Sequence, residues 1–351
     1  MPRIRAVATA VPAHCVSQDE ALDRCKTLFA PLLQEKKRQS IFERAGVRHR
    51  HLAEPLDYYR DGLDFERRNR DYAKHALDLA RETIARCLER AHARHAEVDH
   101  IVSVTTTGLL TPSLESHLAQ ALPFPRNVKR TPIFGAGCAG GVIALARAAE
   151  HLKGHPKETA LALATELCSM TYVPKDKTMT QLVAAALFGD GAAAALLCGD
   201  EAEGDAIAEL VCSASHLLPD SLDLMGWDFS NEGMKLVLSP RVPRMIEAHL
   251  PAAASALLKK AGVAREDIRH WILHPGSARV LQSMANALGL TEADLRHSRT
   301  FLESHGNLSS ASVFFVLAEL LKAGRPEPGS YGVVAAMGPG FAAELLLLRF
   351  L

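Results

Sequence analysis

Twice along the chain a glycine-bearing turn leads into an apolar helix and then into a strand-length run with almost no polar residue. The first passage runs from "FGAGCAGGVIALARAAEHLKG" to "ETALALATEL", the second from "SHGNLSSASVFFVLAELLKAG" to "YGVVAAMGPG". A run without alternation leaves no face for water, so these strands predict sheets covered by helices on both sides. The echo is one of order, not of letters, and it predicts a duplicated α/β unit. The polar stretch "GDEAEGD" from Gly199 to Asp205 separates the copies, giving an N-terminal half over 1–203 and a C-terminal half over 204–351.

Other segments fit the same plan. "MPRIRAVATAVPAHC" reads as a first strand cut by Pro12. "VSQDEALDRCKTLFAPLLQEKKRQSIFERAG" predicts one long helix, with Ser17 and Glu20 as a capping box at its start. "RDYAKHALDLARETIARCLERAHA", "LESHLAQAL", "RVPRMIEAHLPAAASALLKKAG" and "ARVLQSMANALG" carry helical spacing. "VDHIVSVTTTG", "RTPIFG", "LFGDGAAAALLC", "IRHWILHPG" and "AAELLLLRFL" read as strands.

Forty basic residues balance forty acidic ones, so no net field points to nucleic acid or an anionic membrane as the main partner. Seven cysteines without a CxxC pair argue against a disulfide framework or a zinc ribbon, and predict a reducing, cytoplasmic setting. No apolar run approaches the ~18 residues of a spanning helix. His151 and His155 have helical metal spacing, but Gly154 and Pro156 end the helix there and no carboxylate completes the set, so no metal is expected.

Three residues of reactive type sit at element ends. Cys138 lies between glycines at the first turn of a helix, where unpaired N–H groups favour a thiolate. A small buried filler is the plainer reading. His274 follows an apolar strand and precedes Pro275 and Gly276, at the kind of strand end where α/β folds bind ligands. Asn307 precedes a helix, where it also suits an N-cap. Together they make a nucleophile, a base and a polarising donor.

With those three in place the sequence resembles the type III polyketide synthases, the chalcone synthase-like branch of the thiolase superfamily. The resemblance covers nearly the whole chain and rests on "GCAGG" around Cys138, "LFGDGAAA" from Leu187, "HPG" from His274, "GNLSSAS" from Gly306 and "GPG" from Gly338. It implies a thiolase fold, a duplicated αβαβα layered sandwich, in a homodimer. It implies an acyltransferase that holds a starter acyl group on Cys138 and extends it with malonyl-CoA, with His274 and Asn307 as catalytic partners and Phe188 as a gatekeeper ring. Acyl-CoA and malonyl-CoA would be the substrates, and no cofactor is implied.

The departures from the plant pattern bear on the substrate. The family's second gatekeeper phenylalanine falls on Leu236, and the phenylalanine before "GPG" on Met337. "ELCSMTY" and the stretch from Met225 resemble bacterial members that take long fatty acyl starters and make alkylpyrones or alkylresorcinols. The resemblance places Thr171, Cys168, Ala184 and Ser309 in the cavity wall. It places Thr106 and Glu166 where some relatives hold a water that biases product release. Arg44, with Arg48 and Arg50 nearby, and Arg279 are implied CoA contacts. A residue matching Thr111 reaches the partner's cavity in the family, where it is methionine. Two rivals stand beside this reading: a ketoacyl synthase III-like enzyme making one condensation on acyl carrier protein, and a non-catalytic acyl-binding subunit of the same fold.

Overall fold

The computed structural model describes the chain from Met1 to Leu351, the side chains of Lys36 and Lys37 excepted. In the N-terminal half β1 (Arg3–Ala10) is followed by a small pair, β2 (His14–Ser17) and β3 (His49–Leu52), which brackets helices α1 (Gln18–Leu28), α2 (Ala30–Leu33) and α3 (Lys36–Arg44). Then come α4 (Phe65–Arg90), β4 (His100–Val104), α5 (Leu114–Ala121), β5 (Lys129–Ile133), α6 (Gly140–Gly154), β6 (Thr159–Leu167), α7 (Met179–Leu187) and β7 (Asp190–Cys198). The C-terminal half holds β8 (Ala208–Leu217), the hairpin β9 (Met225–Ser230) and β10 (Gly233–Leu238), and α8 (Val242–Ala261). It ends with β11 (Ile268–Leu273), α9 (Ala278–Leu288), α10 (Glu292–His305), α11 (Ser312–Ala323), β12 (Tyr331–Gly338) and β13 (Ala342–Phe350).

The duplication is visible in the strand order β11-β12-β13-β8-β1-β7-β6-β4-β5. Outward from the centre, β1-β7-β6-β4 matches β8-β13-β12-β11. The senses match too. β7 runs antiparallel to β1 and β6, and β13 antiparallel to β8 and β12. β4 is parallel to β6, and β11 to β12. The halves are not two separate sheets. A short ladder, Arg3 opposite Glu209 and Ile4 opposite Ala208, joins them edge to edge.

Strand alternation sorts the layers. Ala160, Ala162 and Ala164 of β6 face a shared core with α6 and α11, while Leu161 and Leu163 face the outer core with α4. On β12, Val334 and Ala336 join the shared core, while Val333 and Ala335 face α8 and α9. The layers therefore run helix, sheet, helix, sheet, helix, with α6 and α11 in the middle. Alanine-rich strand faces let those two helices come close.

Several local expectations needed revision. The capping box at Ser17 forms, with Glu20 returning a carboxylate to the Ser17 backbone. The long helix behind it does not. It closes at Phe29, which donates to the Cys25 carbonyl, and restarts with Pro31 in the first turn of α2. β7 begins at Asp190, because Leu187 still belongs to α7. Helix α7, with Thr178 as its side-chain cap, was not marked by the reading above, nor was α10. No helix among the described residues is long and apolar enough to cross a membrane.

Candidate active site

Cys138 sits in a short 3-10 turn, Gly137–Ala139, that feeds α6. The glycines around it make close protein contacts rather than room for a ligand. A Cβ on Gly141 would lie 2.1 Å from the Ser310 carbonyl oxygen, and one on Gly137 would lie 2.5 Å from Pro339. The first turn of α6 is thus pressed against the Ser309–Ala311 turn that carries Asn307 just before it.

Asn307 is tied down on three sides. Its N–H donates to the Leu187 carbonyl at 2.8 Å, its Oδ1 accepts from Ser309 N at 2.8 Å, and its Nδ2 donates to the Gly276 carbonyl at 3.0 Å. Phe188 pairs with it in a single β-bridge. His274 follows β11, its N–H on the Ala335 carbonyl at 2.9 Å, and both ring nitrogens are buried without a partner. Such orphaned polar atoms are uncommon in a packed protein and mark a group kept for a ligand or a reaction. Cys138, His274, Asn307 and Phe188 line one cavity of about 190 Å³.

The electrostatics correct one expectation. At the helix start, burial of the thiol works against the pull of the unpaired N–H groups. Burial pushes Cys138 up to about 12, against smaller opposing pulls from hydrogen bonds with Ser309 and Asn307. Burial likewise drops His274 to about 4. Burial thus acts against the charged form of both groups.

Leu236, Met337, Thr171, Cys168, Ala184, Ser309 and Thr106 all line the same cavity. Glu166 does not line it. It lies fully buried behind the wall, accepting from Thr106 N and Oγ1 at 3.0 Å, from Thr107 Oγ1 at 2.9 Å and from the Ser310 hydroxyl. Burial raises its pKa while these donors oppose the rise.

The arginines divide. Arg44 and Arg279 are exposed and do not line the cavity, and the Ala45 carbonyl accepts from Ala278 N at 3.3 Å, so the two are neighbours in the fold close to Gly276 and Ser277, which do line it. Arg48 is exposed and faces Glu303 at 3.5 Å. Arg50 is a correction. It is 2% exposed and lines the cavity, and its two Nη atoms donate to the carbonyls of Ala185, Ala186 and Phe188 and to the Gln18 side chain. It holds the C-terminal end of α7, and with it Phe188, and cannot meet a phosphate at the surface.

The metal expectation also needs one amendment. Glu158 does join His151 and His155, with the donor atoms within 4.8 Å of one another. The carboxylate is already held by Lys129 at 2.6 and 2.8 Å, and the two imidazoles stack at 4.2 Å.

The sequence reading missed the deeper wall. Trp227 lines the cavity and donates its indole N–H to the Thr106 carbonyl at 2.8 Å, pinning the β9–β10 hairpin over the site. Arg24, Cys25 and Leu28 of α1 line it from the opposite side. Their signal was a helix stripe indistinguishable from ordinary core.

Models of chalcone and stilbene synthases match the chain end to end, the N-terminal domain over residues 2–201 and the C-terminal domain over 209–351. The chain belongs to the chalcone and stilbene synthase family. It is similar to the 1,3,6,8-tetrahydroxynaphthalene synthase of Streptomyces peucetius subsp. caesius, 38% identical over 99% of this chain and 93% of that one. It is also similar to the 3,5-dihydroxyphenylacetyl-CoA synthase of Streptomyces toyocaensis, 36% identical over 99% of this chain and 90% of that one. The crystal structure of 1,3,6,8-tetrahydroxynaphthalene synthase from Streptomyces coelicolor A3(2), a bacterial type III polyketide synthase, superposes with a TM-score of 0.94 at 31% identity, covering 99% of each chain. The protein is a type III polyketide synthase, a condensing acyltransferase of thiolase fold.

Proposed function

We propose that this synthase loads a fatty acyl group from CoA onto Cys138 and extends it with malonyl-CoA to alkylpyrone or alkylresorcinol type products. The observation that carries this reading is the largely apolar wall that α1, α7 and Phe29 give the cavity, with Ala21, Cys25, Leu28, Phe29 and Ala184 among its lining residues. Each acyl CH₂ buried there contributes about 0.8 kcal/mol.

The proposed chemistry starts from a neutral thiol and a neutral imidazole. The Cys138 proton passes to His274 as sulfur attacks the thioester carbonyl, and the departing CoA thiolate takes that proton back. Malonyl-CoA then places its thioester oxygen between His274 and Asn307. A neutral imidazole offers one N–H, and the Asn307 amide has a second N–H beyond the one held by Gly276. Both stabilise the enolate formed as CO₂ leaves. The carbanion attacks the acyl-Cys138 carbonyl, and the sulfur departs as thiolate. As proposed, the cycle uses no metal or organic cofactor, because the extender carries its own leaving group. Arg44 and Arg279, near the cavity, would meet CoA phosphates, to which guanidinium groups bind in bidentate fashion. We also propose a homodimer, with the exposed Phe134 and Phe229 rings, 6.5 Å apart, on the covered face.

The curated relatives support a second reading. A product named 1,3,6,8-tetrahydroxynaphthalene carries no alkyl tail, so a synthase of that type builds its product without a fatty starter. Mass spectrometry of products from malonyl-CoA alone, and with acetyl-, fatty- and aromatic-CoA starters, separates the two. Alkylated tri- or tetraketides that vanish in Cys138→Ala support the fatty acyl reading. A tail-free aromatic from malonyl-CoA alone, unchanged by fatty starters, replaces it.

A further inference from the structure

Where α1 and α7 line the cavity, its wall is mostly apolar and carries a few polar side chains. Helix α1 presents Ala21, Arg24, Cys25 and Leu28 there, the i, i+3, i+4, i+7 stripe of one helix face. Helix α7 answers with Gln181, Ala184 and Ala185. Three polar side chains stand among them incompletely used. Arg24 is half-buried, gives its Nε and Nη2 to the Tyr59 carbonyl at 3.2 and 2.6 Å, and meets no carboxylate among the described residues. Tyr172 is 8% exposed and its hydroxyl has no hydrogen-bond partner. Gln181 is 5% exposed, and no side-chain hydrogen bond of its amide is found among the described residues. The Tyr172 ring packs edge-on against the Tyr59 ring at 6.3 Å, and Tyr59 is the residue whose carbonyl holds Arg24, which puts Tyr172 and Arg24 on the same stretch of wall, with Asp61 the nearby acid.

Every one of these groups can donate. A guanidinium has no acceptor, the phenol offers its O–H, and the amide supplies N–H. A methyl terminus would leave all of them unanswered in a partly dry pocket, whereas an oxygen acceptor answers them. Asp61, the nearby acid, is paired with Lys177 at 2.9 Å, which leaves the Arg24 guanidinium without an ion pair among the described residues, and such a guanidinium selects an anion over a neutral oxygen.

We propose that the part of the cavity lined by α1 and α7 accepts an acyl starter whose far end carries a carboxylate, held by Arg24 and Tyr172. This rests on the reading that this part holds the starter's tail, and it adds the chemical class of that tail. The thioester end reacts at Cys138 as before, so no new bond-making step is required.

The test compares three CoA thioesters of equal chain length, ending in methyl, hydroxyl or carboxylate, by kcat/KM for extended product. The expected order is carboxylate first, by about tenfold or more over methyl. Arg24→Met and Tyr172→Phe should each lower the carboxylate-to-methyl ratio, and a ratio measured on one enzyme sample cancels any loss of folded protein. Arg24→Lys, which keeps the charge, should retain part of it. Equal turnover of methyl and carboxylate starters, or a hydroxyl optimum, overturns the proposal while leaving the acyl-tail reading intact. So does an Arg24→Met that raises KM alike for all three, since that makes Arg24 a CoA contact. If none of the three is extended while malonyl-CoA alone is converted, the tail reading falls and the proposal with it.

Discussion

Burial acts against the charged form of both Cys138 and His274, which the proposed cycle uses in different steps. The two partial reactions should therefore separate on mutation. On the proposed cycle, Cys138→Ala removes the acyl carrier but leaves the two groups proposed to hold the malonyl oxygen, His274 and Asn307. Intact-mass analysis should show no acyl adduct and no extended product, while slow release of acetyl-CoA from malonyl-CoA persists. His274→Gln should lower that release by about 10²–10³, the usual loss for one oxyanion donor. Acetyl-CoA release at the wild-type rate in His274→Gln would remove the histidine from the decarboxylation step. Trp227 makes a different demand. Trp227→Gly opens the wall and leaves the Thr106 carbonyl without its donor. The expected result is a shift toward longer or differently closed products at similar consumption of malonyl-CoA, read by product mass. An unchanged product profile would show that the indole does not bound the growing chain.

At the scale of elements, the hairpin β9–β10 is held by few groups. Arg68 on α4 is fully buried and reaches the Met170 and Glu232 carbonyls, while Trp227 supplies the second tie. Arg68→Met should release residues 225–238 before the rest of the molecule. Hydrogen exchange should rise there first, with KM changing more than the midpoint of global unfolding. A uniform rise across the sheet would assign Arg68 to the core instead. The same comparison of elements shows what the letters carried. Helix α6 was legible to the residue, since an apolar helix pattern and its stop at Gly154 are local. The buried strands were legible as strands, though not to the residue, because a run such as "ALALA" has one physical solution while its ends do not. The break at Phe29 was not, since Pro31 fits the first turn of a new helix as well as it fits a loop. Cys138, His274 and Asn307 were legible because each stands at an element end beside glycine or proline. Arg24 and Trp227 were not, as their roles depend on which distant surface α1 and the hairpin close upon. Arg50 misled for the same reason: an arginine among basic neighbours looks like a phosphate contact until the carbonyls of α7 are folded over it.

At the scale of the whole molecule, acid should be the weak side of this fold. His100, His274 and His305 are each lowered by burial to about 4, from an ordinary value near 6.5. Between those values the unfolded chain binds protons that the folded one refuses, so stability rises with pH through that window and falls on acidification. Asp190 runs the other way. Burial raises it to about 6, so the folded state holds that proton more firmly, and its contribution, present at low pH, is lost as pH rises through 6. Glu166, also raised, has the same sign. His95, His270 and His297 are lowered by burial as well, and Glu344 is raised, so six histidines favour the folded state as pH rises toward 6.5 and three acids oppose them. Thermal melts from pH 4 to 7.5 should show Tm climbing up to about pH 6.5 and levelling there. His305→Gln should flatten the climb by about one proton without touching the cavity, since His305 packs against Phe301 and Phe315 behind the Asn307 turn. A profile flat from pH 5 to 7, or one unaltered in His305→Gln, would mean that these histidines reach water when folded, and that the wall behind Asn307 is looser than the packing of α10 against α11 requires.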